Sequence, residues 1–242
     1  MAFKGENENE ASKTAASGVF ITFEGGDGAG KTTHMGFVVQ QLKAQGFDVV
    51  QLREPGGTSV GESLRRLVLD PAHDEISDVC ELLIYEAARA QLVAQVVKPA
   101  LERGAVVICD RFIDSTVAYQ GFGRGIDRAS VDFVNELACQ GAVPARTVFM
   151  TTGLDASVGL ARATSRRKAD RLELAGVDFH TRVAQGYADS AQRFPERFRT
   201  VVTSRKKSDT ARAVFAQIID LFPTFDLSLV PFDSLDGKGG DA

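Results

Sequence analysis

One eight-residue segment constrains this chain more than any other. Residues 25–32 read GGDGAGKT and satisfy the pattern GxxxxGK[ST]. An apolar, β-branched run at 19–23 precedes the segment, and a stretch with helical spacing of apolar residues follows at 32–45. In such a strand–loop–helix unit, successive backbone N–H groups converge on phosphate oxygens, because the glycines remove obstructing Cβ atoms. The segment therefore predicts a phosphate-binding loop in preference to a glycine-rich turn without a ligand.

The rest of the chain continues this alternation of strand and helix. Strand-like runs recur at 47–52, 105–109, 147–150 and 200–203. Stretches with helical spacing lie at 77–103, 130–140, 155–163, 177–193 and 209–221. The alternation predicts one α/β domain at 18–222, with a five-stranded parallel sheet flanked by helices. We expect a disordered leader at 1–17 and a flexible acidic tail at 223–242.

Composition and charge exclude several classes of protein. The 242 residues are 44% hydrophobic and 25% charged, as in globular chains, and no run approaches the roughly 20 apolar residues of a membrane helix. The net charge is −4, with −1 in the leader and −3 in the tail, so the domain is neutral and should bind neither nucleic acid nor membranes. Three scattered cysteines favour a reducing, cytoplasmic setting over disulfides or zinc.

The phosphate-binding loop leaves two classes of protein open, a switch GTPase and a kinase. The chain has no NKxD segment with which a GTPase reads guanine, and this favours the kinase. In either class, Lys31 reaches the β- and γ-phosphates and the Thr32 hydroxyl binds Mg²⁺. A kinase also needs a second site, and Asp110-Arg111 follows a strand-like run, at the sheet edge where ligands gather. Asp110 can bind Mg²⁺ and Arg111 phosphate; a cap or salt bridge at a strand end is the alternative.

Several longer segments resemble the bacterial thymidylate kinases. They read FEGGDGAGKTT at 23–33, REPGGT at 53–58, YEAARAQ at 85–91, DRF at 110–112, STVAYQG at 115–121 and RRKADRLE at 166–173. The resemblance covers residues 18–221. It implies a P-loop nucleoside monophosphate kinase fold, phosphorylation of dTMP to dTDP by ATP with Mg²⁺, and a homodimer. Another nucleoside monophosphate kinase and a nucleotide-binding regulator that has lost phosphoryl transfer are the alternatives.

The resemblance also implies which residues form the two substrate sites. The ATP site comprises the loop and one arginine near the adenine: Gly25, Gly26, Gly28, Ala29, Gly30, Lys31, Thr32, Thr33 and Arg162. The dTMP site comprises Asp27, Arg53, Tyr85, Arg89, Arg111, Ser115, Thr116, Tyr119 and Gln120. The catalytic set is Lys31, Arg111, Arg166 and Asp27, and the metal set is Thr32 and Asp110.

On the phosphate and sugar side, the resemblance gives each residue a task. Asp27 accepts a hydrogen bond from the 3′-hydroxyl, and Arg53 steers the acceptor phosphate. Arg111 lies between the donor and acceptor phosphates. Tyr119 crowds the 2′ position, so that a ribonucleotide clashes. A tight turn aims Arg53, and the resemblance raises the expectation of a cis Glu54–Pro55 bond above the base rate.

On the base side, the resemblance lets Tyr85 stack on thymine and Arg89 bind the base carbonyl. The two residues are four apart and share a face of the predicted helix. Without the resemblance, the pair reads better as a core aromatic beside a solvated arginine. Ser115 or Thr116 contacts N3 of the base.

Residues 164–174 resemble the LID of the enteric bacterial subtype. Gly28 has no side chain, so the loop cannot supply the catalytic cation found there in other members. Four LID cations are available instead, and Arg166 aligns best with the transition-state arginine. For each of them a solvated basic loop is the alternative. The four are Arg166, Arg167, Lys168 and Arg171.

Overall fold

The computed structural model describes residues 18–26, 28–153 and 170–237. Their five strands form one sheet in which every pairing is parallel, in the order β2-β3-β1-β4-β5. The strands are β1 (Val19–Glu24), β2 (Val49–Arg53), β3 (Val106–Asp110), β4 (Arg146–Thr151) and β5 (Phe198–Val202). The predicted α/β class and five-stranded parallel sheet are confirmed.

Helices cover both faces of the sheet. The described α-helices are α1 (Lys31–Ala44), α2 (Ser59–Leu69), α3 (Asp78–Leu92), α4 (Lys98–Glu102), α5 (Ile113–Thr116), α6 (Arg128–Cys139), α7 (Val177–Arg193) and α8 (Lys207–Ala216). Short π-helices lie at Val93–Val97 and Val117–Gly123, and 3₁₀ turns at Glu173–Ala175, Ile219–Leu221, Leu227–Leu229 and Phe232–Leu235. In the described part of the chain, no helix combines the length and apolar character needed to cross a bilayer.

Two helical segments differ from the sequence prediction. The stretch 77–103, predicted as one helix, is α3, a π-helical turn and α4, and Pro99 lies in the first turn of α4, where its missing N–H is tolerated. Helix α2 was not predicted at all. Val60, Leu64, Leu67 and Val68 do have helical spacing, although only Gly61 and Val68 are buried among the residues of this helix. The helix begins because the Thr58 hydroxyl accepts a hydrogen bond from the Gly61 N–H at 2.9 Å. The helix predicted at 155–163 lies outside the described residues.

The sheet divides the core into two layers. On β1, Ile21 and Phe23 point to the layer that α1 and α8 cover, whereas Phe20 points to the opposite layer, which α3 and α4 border. This alternation is the period-two pattern of a strand. Both faces are apolar, as expected for a parallel sheet buried between helices.

The chain after Phe222 is packed against the domain, so the prediction of a flexible tail is wrong for residues 223–237. Phe225, Val230 and Phe232 are buried in the same core layer as α1 and α8. Prolines and aspartates interrupt this segment, and its three apolar side chains that reach the core are irregularly spaced. Local periodicity therefore cannot reveal the packing. The leader at 1–17 and residues 238–242 lie outside the described residues.

The carboxyl ends of β1, β2 and β3 lie side by side. The register pairs Arg53 of β2 with Asp110 of β3, and Asp110 with Phe23 of β1. The loop after β1, the turn after β2 and the Asp110-Arg111 pair therefore meet at one edge of the sheet. This is the edge at which doubly wound sheets bind ligands.

Truncation of Phe232 should destabilise the domain. Its ring is 5% exposed and lies against Phe37 and Phe215, with centroid distances of 6.0 and 5.5 Å. Phe232→Ala should lower the free energy of unfolding by about 3 kcal/mol, because the cavity cannot fully collapse. Urea unfolding measures this change. Leu229→Ala is the control, since Leu229 is 67% exposed and its loss should cost under about 0.5 kcal/mol. Equal stability of both variants would show that the tail does not contribute to the core.

Candidate active site

A cavity of about 410 Å³ opens at the carboxyl edge of the sheet. It is lined by residues that the sequence assigned to the two substrate sites and the metal site: Gly28, Gly30, Lys31, Thr32, Thr33, Arg53, Tyr85, Arg89, Asp110, Arg111, Ser115, Thr116, Tyr119 and Gln120. Gly25, Gly26 and Ala29 belong to the same loop but do not line the cavity. Asp27, Arg162 and Arg166 lie outside the described residues.

The loop after β1 is shaped to hold an anion. Gly25 has φ 132°, and a Cβ there would lie 2.1 Å from the Met150 carbonyl oxygen, so only glycine fits. Lys31 is buried, and its Nζ donates to the carbonyls of Gly25 and Gly26 at 2.8 and 3.0 Å. Helix α1 starts at Lys31 with Gly30 as its N-cap, which supplies no capping side chain, and its first turn holds no acidic residue. The first backbone N–H groups and the positive dipole end of α1 can therefore bind phosphate.

Asp110 and Arg111 follow β3 and take different environments. The Asp110 Oδ1 atom is buried and has no hydrogen-bond partner in the described part of the chain. This is the environment of a carboxylate built to meet a cation, and among the described residues Asp110 forms no salt bridge. Arg111 has φ 69°, and its N–H donates to the Phe23 carbonyl at 2.9 Å. Its guanidinium donates to the Tyr187 hydroxyl at 3.2 Å and lies 5.2 Å from the Tyr119 ring.

Two arginines meet at the turn after β2. The Glu54–Pro55 bond is cis. The Pro55 carbonyl accepts hydrogen bonds from Arg53 at 3.0 Å and from Arg65 at 2.9 Å, and Arg53 also pairs with Glu62 at 3.0 Å. Arg65 lines the cavity together with Arg53. Sequence analysis missed Arg65 because it lies on α2, a helix that was not predicted, and no motif marks it as a ligand contact.

The buried Glu24 carboxylate binds the Ser115 and Tyr187 hydroxyls, which in turn contact Arg111. Glu24 accepts hydrogen bonds from the Phe112 N–H at 2.7 Å, the Ser115 hydroxyl at 2.6 Å and the Tyr187 hydroxyl at 3.0 Å. Burial, with the nearby Asp114 charge, raises the pKa of Glu24 to about 7. Glu24 belongs to the FEGG segment, but its role is visible only once Tyr187 arrives from α7, more than 160 positions away.

Arg89 occupies a buried polar cluster beside the cavity. It is 2% exposed, and it pairs with Glu54 at 2.7 Å and Glu86 at 2.5 Å. It also donates to Thr116 at 2.9 Å and Asn135 at 2.7 Å. The reading of this residue as a solvated arginine is therefore wrong.

Tyr85, one turn before Arg89 on α3, is half-buried and lines the cavity, and burial raises the pKa of its hydroxyl well above the usual value. This is not the fully enclosed environment of a core aromatic. The two side chains thus reach the same cavity from one helix face.

Arg171, one of the four predicted LID cations, is anchored away from the cavity. Its guanidinium donates to the Glu81 carboxylate on α3 and to the Val68 carbonyl on α2, the latter at 3.1 Å. Glu81 also accepts hydrogen bonds from Gln120 at 2.8 Å and from Arg124 at 2.9 Å. The structure therefore gives Arg171 a structural contact with α2 and α3. Arg166, Arg167 and Lys168 lie outside the described residues.

Glu24→Gln should change the pH dependence of folding stability. The folded-state pKa of Glu24 lies above the ordinary value of 4.5, so the folded protein binds this proton more tightly than the unfolded chain does. Wild-type protein therefore loses free energy of unfolding as the pH rises from about 4.5 to about 7. The variant lacks this titration, and its loss over the range should be smaller by about 2 kcal/mol. Urea unfolding at several pH values measures both profiles, with the exposed Glu102→Gln as control; parallel profiles for wild type and Glu24→Gln would contradict the assignment.

Comparison with known proteins identifies the family. The family model described as thymidylate kinase matches residues 23–214. A thymidylate kinase of Pelobacter propionicus is 45% identical over 208 residues, which cover 84% of this chain and 94% of that protein. A thymidylate kinase of Deinococcus radiodurans is 44% identical over 203 residues, covering 84% of this chain and 97% of that protein.

A solved structure agrees with the sequence comparisons. The crystal structure of thymidylate kinase from Ehrlichia chaffeensis superposes with a TM-score of 0.67 at 33% identity, covering 83% of this chain and 98% of that one. Its fold is the P-loop nucleoside monophosphate kinase fold expected from the sequence. With a phosphate-binding loop, an Asp-Arg pair and a buried arginine around one cavity, and a family match over most of its length, the chain belongs to the thymidylate kinase family.

Proposed function

We propose that the protein transfers the γ-phosphoryl group of ATP to dTMP, giving dTDP and ADP, a step in dTTP biosynthesis. The observation that carries this proposal is the single cavity lined by Lys31 on one side and by Arg53 and Arg65 on the other, with Arg111 also in its wall. Two anionic substrates placed end to end repel each other, and cations on both sides of the junction offset that repulsion. Family membership supports thymine as the acceptor base.

The donor side of the cavity binds the triphosphate of ATP. The backbone N–H groups of residues 25–32 and the start of α1 contact the phosphate oxygens. Lys31, which is held on loop carbonyls here, gains the β- and γ-phosphates as anionic partners. Arg162 lies near the adenine in this proposal, as the family resemblance suggests.

We propose Thr32 and Asp110 as the residues that hold Mg²⁺. The Oδ1 of Asp110 is buried and has no partner among the described residues, and the Thr32 side chain is exposed at the start of α1. Both residues border the cavity, and oxygen donors of this kind fit a hard divalent cation. When bound, the ion neutralises charge on the β- and γ-phosphate oxygens.

The acceptor side orients the phosphate of dTMP for in-line attack. Arg53 and Arg65 bind this phosphate, and Arg111, braced by the Tyr187 hydroxyl, contacts both substrates. A phosphate monoester is already an anionic nucleophile at neutral pH, so no side chain acts as a strong base. Arg166 supplies the cation that Gly28 cannot.

The sugar and base lie against α3 and the segment 115–121. Asp27 accepts from the 3′-hydroxyl, and Tyr119, packed against Tyr187, excludes a 2′-hydroxyl. Tyr85 stacks on the base, and Gln120 borders it. The Ser115 hydroxyl is already engaged by Glu24, Arg111 and the Tyr187 hydroxyl, so Thr116 is the better candidate for contact with N3.

Coupled measurement of ADP release tests this function. Wild-type protein with Mg²⁺ and ATP should release ADP only when dTMP is present, and chelation of Mg²⁺ should stop turnover. Lys31→Ala should lower kcat roughly a hundredfold, because a cation at the transferring phosphates is lost. Lys43→Ala, exposed in the last turn of the same helix, should leave kcat unchanged. ATP binding without dTMP-dependent turnover would favour the regulator, and preference for another monophosphate would favour a different kinase.

We further propose that the protein is a homodimer joined through α2, α3 and α6. These neighbouring helices carry exposed apolar side chains at helical spacing: Val60 and Leu67, Val79 and Leu83, Phe133 and Leu137. A continuous apolar face of this kind is rarely left to solvent, and a second copy of the same face covers it under two-fold symmetry. The family resemblance supports the same assembly.

Leu137→Glu should give a monomer. Leu137 is 68% exposed, and a charge at this point would be buried unpaired in the dimer. Sedimentation velocity should show a dimer for wild-type protein and a mass near one chain for the variant. Leu229→Glu is the matched control, because Leu229 is equally exposed but lies in the tail, which packs on the α1 and α8 side. A dimer that survives Leu137→Glu would rule out this face.

The cysteines support the proposal of a reducing, cytoplasmic setting. Cys109 and Cys139 are buried and Cys80 is exposed, and all three are free thiols. Burial raises the pKa of the Cys139 thiol to about 12, so it stays protonated and unreactive. Structural thiols of this kind are typical of proteins that need no disulfide.

A further inference from the structure

The buried cluster around Arg89 leaves one donor for a ligand. A guanidinium has five N–H groups. Nε donates to Glu54 Oε2 at 2.9 Å, Nη2 forms an ion pair with the same oxygen at 2.7 Å, and the two hydrogens of Nη1 are shared by Glu86, Thr116 and Asn135. In the described ranges, no acceptor takes the second hydrogen of Nη2. Since Arg89 lines the cavity, this hydrogen is what the arginine offers to a bound base.

The Thr116 hydroxyl, next to Arg89, is left as an acceptor. Its only hydrogen points to Glu86 Oε1 at 3.0 Å. Arg89 Nη1 donates to the same hydroxyl oxygen at 2.9 Å, and an arginine can never accept. One lone pair of Oγ1 remains, and Thr116 lines the cavity. Toward a ligand, Thr116 can therefore only accept.

Glu86 imposes this arrangement on both neighbours. Its Oε1 accepts from Arg89 at 2.5 Å and from Thr116 at 3.0 Å, whereas its Oε2 is buried and has no partner in the described ranges. Glu86 is 5% exposed and does not line the cavity, so it does not touch a ligand there. Without it, the Thr116 hydroxyl could rotate and donate into the cavity.

A donor beside an acceptor reads the edge of a pyrimidine. Thymine presents a carbonyl at C4 beside an N–H at N3, which complements the Arg89 donor and the Thr116 acceptor. Cytosine presents an amino group at C4 beside a bare N3, so donors face donors and acceptors face acceptors. A buried site with a fixed donor and a fixed acceptor strongly disfavours a base with the reverse arrangement, because the polar groups of the site are then left without partners.

We propose that Glu86 is a positioning residue that sets base specificity by fixing the hydrogen-bond polarity of Thr116 and Arg89. The proposal rests on the proposed function, since it assumes that the base of the acceptor lies against these two groups. In this proposal Glu86, which lies outside the cavity, determines the preference for a 4-oxo over a 4-amino pyrimidine monophosphate.

The test is the ratio of kcat/KM for dTMP to kcat/KM for dCMP. Glu86→Met removes the acceptor at similar volume, and should lower this ratio at least about tenfold, mainly through loss of activity on dTMP. Glu86→Gln should keep the ratio within about threefold, because the amide oxygen can replace Oε1 while its NH₂ occupies the place of the unpartnered Oε2. Glu86→Ala serves in place of the methionine variant if that variant does not fold.

Two controls separate specificity from damage to the fold. Leu82→Ala opens a cavity one turn away on the same helix and should lower stability without moving the ratio. In a Thr116→Val background, Glu86→Met should change the ratio much less than in wild-type protein, because the hydroxyl it orients is gone. An unchanged ratio for Glu86→Met, or an equal fall for Leu82→Ala, would overturn the role of Glu86 while leaving dTMP phosphorylation intact. Wild-type protein that makes no dTDP would overturn the proposed function and this inference together.

Discussion

The parallel pairing of β1, β2 and β3 is the constraint on which the rest of the site depends. Because all three strands run the same way in register, their carboxyl ends place the phosphate-binding loop, the Arg53–Pro55 turn and the Asp110-Arg111 pair within one cavity. The apolar layers on both faces hold these strands rigidly. Groups far apart in sequence thus meet in one cavity, as positioning of two anionic substrates demands.

Buried charge around this edge costs stability and contributes specificity. Glu24, Glu54, Glu86 and Arg89 are each nearly or fully removed from solvent. Burial raises the pKa of both Glu24 and Glu54 to about 7, which shows how strongly desolvation opposes their ionised forms. Apolar residues could fill the same volume at lower cost. The carboxylates instead orient Arg111 and Arg89, whose side chains reach the cavity. The desolvation cost of these carboxylates is thus offset by the fixed orientation and hydrogen-bond polarity of the groups that face the substrate.

The parts of the site that sequence could predict are those with local signatures. The loop at 25–32 and the Asp110-Arg111 pair follow strands that apolar runs make visible, and the five-stranded parallel sheet follows from the alternation of elements. Arg65 escaped prediction because it lies on α2, which was not predicted, and no sequence motif marks it as a ligand contact. Tyr187 and Asn135 escaped because nothing near them in sequence marks a partner 76 or 46 positions away. The tail escaped because three apolar residues without periodicity were enough to anchor it.

The sequence by itself determined the class of fold, the phosphate-binding loop and the family. Each of these is encoded by consecutive residues whose spacing matches a single element or loop. Only the tertiary structure decided which groups face the substrates and with what hydrogen-bond polarity. The direction in which the Thr116 hydroxyl points depends on Glu86 and Arg89 of another helix. Likewise, only the folded chain shows that the buried Oδ1 of Asp110 has no partner among the described residues. Whether a buried polar group acts as donor or acceptor toward a substrate depends on the whole packed cluster, because all neighbouring groups together determine where each hydrogen points.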